Sequence, residues 1–333
     1  MKLLDVVSLT FGILVNSVWA LPTTDTKSNF SWEDTKYFLA FGDSDTFVQG
    51  TYGLQNFSFI GDLLHFSYTP AQILRTSAGG PNWVEYLTSC FSGLPSKCTK
   101  QFWDFAFAGS DVSTTCTALH HNTAVSLESQ ILEWSTYALP VIPMDPSKTL
   151  VTIWIGINDI GDTASYIFPS HNSTSLHSLY TNIITAEFAA IETIYKSGFR
   201  NFLFMNLPPL QRTPPNLIRP AGPLPNTTML SSYNRILNTS AHHFSTTHPG
   251  TKTMVFDIFF FLSSVLDDPT PYGIKNITNY CPKYDASDIA TNYAAYGCLP
   301  IEDYFWYNTG HITYHTHEIL AREVGKFLES QSY

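Results

Sequence analysis

Positive charge is scarce in this chain. Its 333 residues hold 17 lysines and arginines against 27 acidic residues, for a net charge of −10, and no Lys/Arg run occurs anywhere. Binding phosphates needs such a run, so nucleic acid and anionic membrane surfaces are not expected partners. Long apolar runs are also missing beyond the first twenty residues. The stretch 258–266, "IFFFLSSVL", is bounded by acids and is far shorter than a membrane-spanning helix of about 20 residues. Cysteine is sparse, with five residues and no C-x-x-C pair, and "HExxH" is absent. No metal and no cofactor is therefore expected. Charged residues amount to only 13% against 44% apolar, which excludes wholesale disorder and allows a sizeable core.

What is present begins with "MKLLDVVSLTFGILVNSVWA" (1–20): a lysine, an apolar stretch, then Val18 and Ala20 at cleavage-site spacing. It reads as a secretory signal peptide cleaved before Leu21 and implies an extracellular protein. Six Asn-X-Ser/Thr sequons, at Asn29, Asn56, Asn172, Asn226, Asn238 and Asn276, agree with export, although a sequon is only a permission. Of the cysteines, the local pairs Cys90–Cys98 and Cys281–Cys298 make the simplest bridges. Cys116 is left free and expected to be buried; a catalytic thiol there is the sharper alternative. Spacing alone does not decide connectivity.

Residues 21–36 are polar and read as an N-terminal arm. Strands are expected in "KYFLAFGDS", in "WDFAFAGS" (103–110), in the β-branched "KTLVTIWIGIND" (148–159), in "RNFLFMNLPP" (200–209) and in "TMVFDIF" (253–259). Helices are expected in 81–91 with Pro81 in the first turn, in 126–139, in 231–244 and in 317–330. Leu176, Leu179, Tyr180, Ile183, Ile184, Phe188, Ile191 and Ile194 repeat at three and four, an amphipathic helix closed by Gly198. Alternating strands and helices indicate a single α/β domain over 37–329, a mostly parallel sheet with helices on both faces. No repeat or linker divides it.

Ligands of such sheets gather where loops leave the carboxyl ends of strands. Three polar clusters stand at such places, and a fourth lies near the C-terminus. "FGDSDTF" (41–47) puts Ser44 on a tight glycine turn, though Asp and Ser there also make ordinary caps. "GGPNW" (79–83) has Gly80, which can bring a bare N–H close to a ligand, or simply lead into a helix. "GINDIG" (156–161) has Asn158, a side-chain amide donor, beside an Asp159 that suits a cap. "NTGH" has His311 beyond a glycine turn. Each alone is commonly structural.

In order and spacing, "FGDSDT", "GGPNWVEYL", "GIND" and "NTGH" together resemble the blocks of the SGNH, or GDSL, hydrolase family. The likeness spans about 37–329. The wording "GPNWVEYL", the aromatics of "DYFWYNTGH" and the secretion signal look most like fungal secreted carbohydrate acetylesterases, carbohydrate esterase family 16. The resemblance implies a flavodoxin-like α/β fold and a serine esterase cleaving short acyl groups, acetyl above all, from plant cell-wall carbohydrate. It implies Ser44 as nucleophile, His311 as base, and the N–H of Ser44, the N–H of Gly80 and the amide of Asn158 as the oxyanion hole. Trp83 and Trp306, beside those blocks, are candidates for shaping a substrate pocket.

One position departs from the pattern. The family has Asp-x-x-His, and this chain has Asn308 three residues before His311. An amide oxygen can orient the imidazole but brings no charge. In a serine protease the corresponding replacement costs about 10⁴-fold in turnover, partly through the wrong tautomer. Three readings follow: Asn308 or a backbone carbonyl supports a Ser–His pair; another carboxylate substitutes, Asp303 being nearest in sequence; or the fold serves as an impaired, glycan-binding scaffold. A lipase or phospholipase of the same fold is a further alternative. "HITYHTHE" places His311, His315 and His317 close in sequence, but no carboxylate or cysteine set completes a metal site. His120–His121 and His242–His243 read as solvated. The expected partner is a small-molecule or oligosaccharide ester, and the expected state a monomer.

Overall fold

The computed structural model describes residues 30–48, 57–65 and 76–332. The expected signal peptide, residues 21–29 of the expected arm and the sequons Asn29 and Asn56 lie outside the described residues. The remainder of the arm is folded in: Phe30 and Trp32 are buried in the core.

Five strands form one sheet: β1 (Tyr37–Gly42), β2 (Gln101–Asp104), β3 (Thr149–Trp154), β4 (Asn201–Met205) and β5 (Lys252–Phe256). The order is β2-β1-β3-β4-β5 and every pairing is parallel. This is the flavodoxin-like order, with its switch point between β1 and β3. Parallel strands must be covered on both sides, so they read as unbroken apolar runs. Alternate residues serve opposite cores. Phe38, Ala40, Leu150, Trp154, Leu203 and Met205 face one cluster; Leu39, Phe41, Val151, Ile153, Phe202 and Phe204 face the other.

The helices used here are α1 (Phe59–Leu63), α2 (Trp83–Thr88), α3 (Leu127–Glu133), α4 (Ile157–Thr163), α5 (Leu176–Lys196), α6 (Thr227–Thr247), α7 (Ile258–Asp267) and α8 (Tyr314–Gln331). Residues of α2, α7 and α8 fill the first cluster, and residues of α3, α5 and α6 the second. Helices therefore cover both faces of the sheet.

Several boundaries differ from the sequence expectation. Pro81 does not enter α2: Asn82 caps it, its side-chain oxygen accepting from Val84 and Glu85 while Glu85 answers to the Asn82 N–H. β2 stops at Asp104, where the carboxylate accepts the N–H groups of Val48 and Ala106 and turns the chain out of the ladder. β5 stops at Phe256 because Asp257 caps α7, accepting from the Phe260 N–H at 3.0 Å. Disulfides join Cys90 to Cys98 and Cys281 to Cys298. Cys116 is half-buried rather than enclosed, and burial pushes its thiol pKa up, away from the thiolate a nucleophile needs. Among the described residues, no helix is long and apolar enough to cross a membrane.

Candidate functional site

β1 ends at Gly42, where a Cβ would come within 2.1 Å of the Trp154 carbonyl oxygen, so only glycine fits between β1 and β3. The chain then turns sharply. Thr46 and Phe47 donate to the Asp43 carbonyl at 3.2 and 3.0 Å, and the Asp45 N–H donates to Asp43 Oδ1 at 3.1 Å. Ser44 stands half-buried on the crest of that turn, at the switch point of the sheet. Its Oγ is 2.7 Å from His311 Nε2.

His311 arrives from the opposite end of the chain. Tyr307 donates its N–H to the His311 carbonyl at 2.8 Å, and Trp306 bridges to Ile312, so residues 306–312 make a tight reversal ahead of α8. Asn308 Oδ1 sits inside it. It accepts from the N–H of Gly310 and the N–H of His311, both at 3.0 Å, and faces His311 Nδ1 at 3.0 Å. Two backbone N–H groups can point only at an oxygen, which fixes the amide's orientation. Nδ1 must then carry the hydrogen and donate it. Nε2 is left with its lone pair toward Ser44, the tautomer able to take a hydroxyl proton. Burial also depresses the His311 pKa to about 4, so the ring is neutral over most of the pH range.

The loop after β3 opens α4 at Gly156, whose φ of +108° is a glycine conformation and where a Cβ would come within 2.3 Å of the Tyr233 hydroxyl. Asn158, in the first turn of α4, donates one Nδ2 hydrogen to the Ser110 carbonyl at 2.9 Å. Its second hydrogen is left for another acceptor. The next residue, buried Asp159, accepts the Val112 N–H with both oxygens at 3.2 and 3.1 Å. Burial first, then neighbouring Asp111, raises the Asp159 pKa well above the carboxylate range. Adjacent residues of α4 thus grip the loop that follows β2.

Sequence reasoning passed over that loop. Phe107 donates to the Gly42 carbonyl at 3.0 Å, and Gln130 bridges Gly42 to Ser110. Gly109 therefore lies between the end of β1 and Asn158, with φ of +75°. Among the described residues the N–H groups of Ser44, Gly80 and Gly109 have no hydrogen-bond acceptor. The signal was available: "FAGSD" is a glycine turn directly after a strand.

Gly80 packs against the start of α8. A Cβ there would meet Tyr314 Cβ at 2.7 Å, and its carbonyl accepts from the Thr76 hydroxyl. Trp83 and Trp306 correct the sequence expectation. Both are buried, at 0% and 2% exposure, so neither presents a face to a substrate. The Trp83 indole N–H donates to Thr46 Oγ1 at 3.2 Å and that of Trp306 to the Ile277 carbonyl at 3.0 Å, which makes an apolar interior the favourable place for both rings. The half-buried Tyr307 and Tyr314 are the aromatics against Gly79 and Gly80.

Asp303 does not reach His311. It pairs with Lys275 at 2.8 Å. The three histidines of "HITYHTHE" diverge: His315 bonds the Tyr272 carbonyl, while His317 lies buried beside Asp45.

Against known proteins, the model of the GDSL-like Lipase/Acylhydrolase family matches residues 38–324. An acetylesterase of Thermothelomyces thermophilus is 28% identical over 258 residues, covering 74% of this chain and 78% of that protein. An acetylesterase of Hypocrea jecorina is 24% identical over 330 residues, covering 87% and 88%. GDSL esterase/lipase 3 of Arabidopsis thaliana is 24% identical over 188 residues, covering 53% and 51%.

Proposed function

The chain belongs to the GDSL-like lipase/acylhydrolase family and is a carboxylic ester hydrolase; from that premise we propose that it is a secreted acetylesterase acting on plant cell-wall carbohydrate through Ser44, His311 and Asn308. His311 Nε2 removes the Ser44 proton as Oγ attacks the ester carbonyl. The oxyanion is received by the Ser44 N–H, the free Asn158 Nδ2 hydrogen and a glycine N–H, each worth about 3 kcal/mol of barrier. Gly80 is the sequence expectation for the third donor. Gly109 is the stronger candidate, because its loop is bonded to Gly42 on one side and to Asn158 on the other. His311 returns its proton to the leaving alcohol, and water repeats the sequence to release the acid.

What carries the reading is the 2.7 Å contact between Oγ and a ring whose tautomer is already set by Asn308. The amide avoids the wrong tautomer, which is part of the cost of an Asp-to-Asn change, but it supplies no charge. The acetyl group is taken from the two fungal acetylesterases. Secretion is supported by the N-terminal twenty residues and by two disulfides, which persist in oxidising compartments.

The test is release of 4-nitrophenol from its acetate beside Ser44→Ala, followed by acetate release from an acetylated xylo-oligosaccharide. Serine-dependent turnover on both is expected. Equal release by the two proteins would overturn the esterase and favour an impaired glycan-binding scaffold, the reading that the neutral Asn308 supports. Preference for a palmitoyl over an acetyl ester would point to a lipase.

A further inference from the structure

The proton His311 takes from Ser44 creates an imidazolium in a largely enclosed place, and the atom behind it is a neutral amide oxygen. A positive charge formed there needs an answering charge. Three other carboxyls are committed elsewhere: Asp303 to Lys275, Glu302 to the Tyr314 hydroxyl at 2.9 Å, and Glu85 to the Asn82 N–H at 2.8 Å.

Asp45 is different. It directly follows Ser44, is 5% exposed, and among the described residues no lysine or arginine pairs with it. Its Oδ1 lies 3.7 Å from Nε2 of His317, a ring that is itself 1% exposed. His317 belongs to the first turn of α8, the helix that His311 leads into, and a charge on either of these imidazoles opposes a charge on the other. The Ser44 turn and the His311 helix thus close over a buried carboxyl–imidazole contact.

Resting on the esterase reading, we propose that Asp45, packed against His317, supplies as a carboxylate the countercharge to the His311 imidazolium that Asn308 cannot supply. Asp45 touches no substrate. It acts through His311 and is a positioning residue.

The proposal has a pH signature. Burial raises the Asp45 pKa to about 7 and lowers that of His317 to about 3, so in acid Asp45 holds a proton beside a neutral ring. The other titratable groups that act on the pair are His311, which opposes a charge on His317, and Asp43, in the same turn as Asp45. Asp43 is fully buried, and burial first, then the neighbouring Asp45, raises its pKa as well. His311 has shed its own proton well below pH 6. Turnover should therefore climb with Asp45 ionisation, about fivefold between pH 6 and pH 8 for one group titrating near 7 whose neutral form keeps about a tenth of the rate.

The experiment measures kcat on 4-nitrophenyl acetate from pH 5 to 8.5, with Ser44→Ala as blank, for the natural protein, Asp45→Asn, and Asp45→Asn combined with Asn308→Asp. Asp45→Asn should fall about tenfold below the natural protein at pH 8 and stay within about twofold at pH 5. Asn308→Asp should restore the loss by putting a carboxylate on Nδ1. The proposal is overturned if Asp45→Asn tracks the natural protein at pH 8, if it loses the same factor at both pH values as a purely structural role would, or if Asn308→Asp restores nothing. Should Asp45→Asn not fold, the natural profile decides, and a flat kcat from pH 6 to 8 sinks the idea while leaving the esterase standing. Absence of Ser44-dependent turnover at every pH would overturn the esterase reading and this one with it.

Discussion

The two sides of the Ser44–His311 contact are built from opposite materials. On the Ser44 side, the loops after β1, β2 and β3 bring buried acids together: Asp43, Asp45, Asp111 and Asp159, with Glu187 of α5 fully enclosed near them. On the His311 side, residues 274–314 carry a disulfide, a satellite cluster of tyrosines and one functional amide, Asn308. Acids on that side are engaged by other groups, Asp303 by Lys275 and Glu302 by Tyr314. The lesson is that orienting the base and charging its surroundings are separable tasks. The side that holds the imidazole orients it without charge, and Asp45, the carboxyl proposed above as its countercharge, lies on the side of the nucleophile.

That contrast breaks most sharply at the contact itself. His311→Ala, like Ser44→Ala, should lower kcat at least about 10³-fold with little change in KM, because both act only as bonds reorganise. A smaller loss in a folded variant would mean another base serves Ser44. Trp306→Ala comes next, and its effect falls on stability. Removing a ring from the core should cost about 3–5 kcal/mol, read as a lower denaturant midpoint, with KM unchanged in whatever remains folded. A raised KM with normal stability would return this ring to the substrate pocket.

Asn308→Asp sharpens the comparison by giving the neutral side a carboxylate. It should raise kcat about tenfold near pH 6. The same change should move the lower, His311 step of the rate profile upward from about 4, the value set by burial, because a neighbouring anion favours the imidazolium. An unchanged limb would place Asn308 outside the support of the ring.

The smallest effect concerns the acidic side. Burial first, then Asp159, lifts Glu187 to about 8. A carboxyl whose folded pKa is raised contributes stability that is fully present below its unfolded value and is lost as pH rises toward the folded one. The melting temperature should thus decline between about pH 4.5 and pH 8, and Glu187→Gln should flatten the decline by a few degrees, with kcat unaffected. A melting curve for Glu187→Gln that keeps the full decline would assign it to other groups.

Much of the architecture could be read before any coordinates. Apolar runs such as "LVTIWI" have no polar alternation, so they had to be parallel strands covered on both faces, and the periodicity of α5 stands out on its own. Boundaries were misplaced where side chains competed with the ladder, at Asp104, Asp257 and Asn82, since a cap is decided by which N–H a carboxylate or amide finds. The tryptophans were misread because aromatic neighbours of a motif look alike whether they line a cleft or fill a core. Gly109 was overlooked because a glycine turn after a strand matters only once the ends of β1 and α4 are known to converge on it.

The sequence by itself determined the alternating α/β plan and the residue types that chemistry requires: a serine on a glycine turn, a histidine near the C-terminus, amide donors between them. These follow from local rules of period, turn and cap. Only the tertiary structure decided that Ser44 and His311, 267 residues apart, meet at 2.7 Å, that three donors converge on one oxygen of Asn308 and so select the tautomer, and that Asp45 lies enclosed against His317. Hydrogen bonds and desolvation act over a few ångströms of space, and separation along the chain says nothing of that distance until the sheet has been assembled.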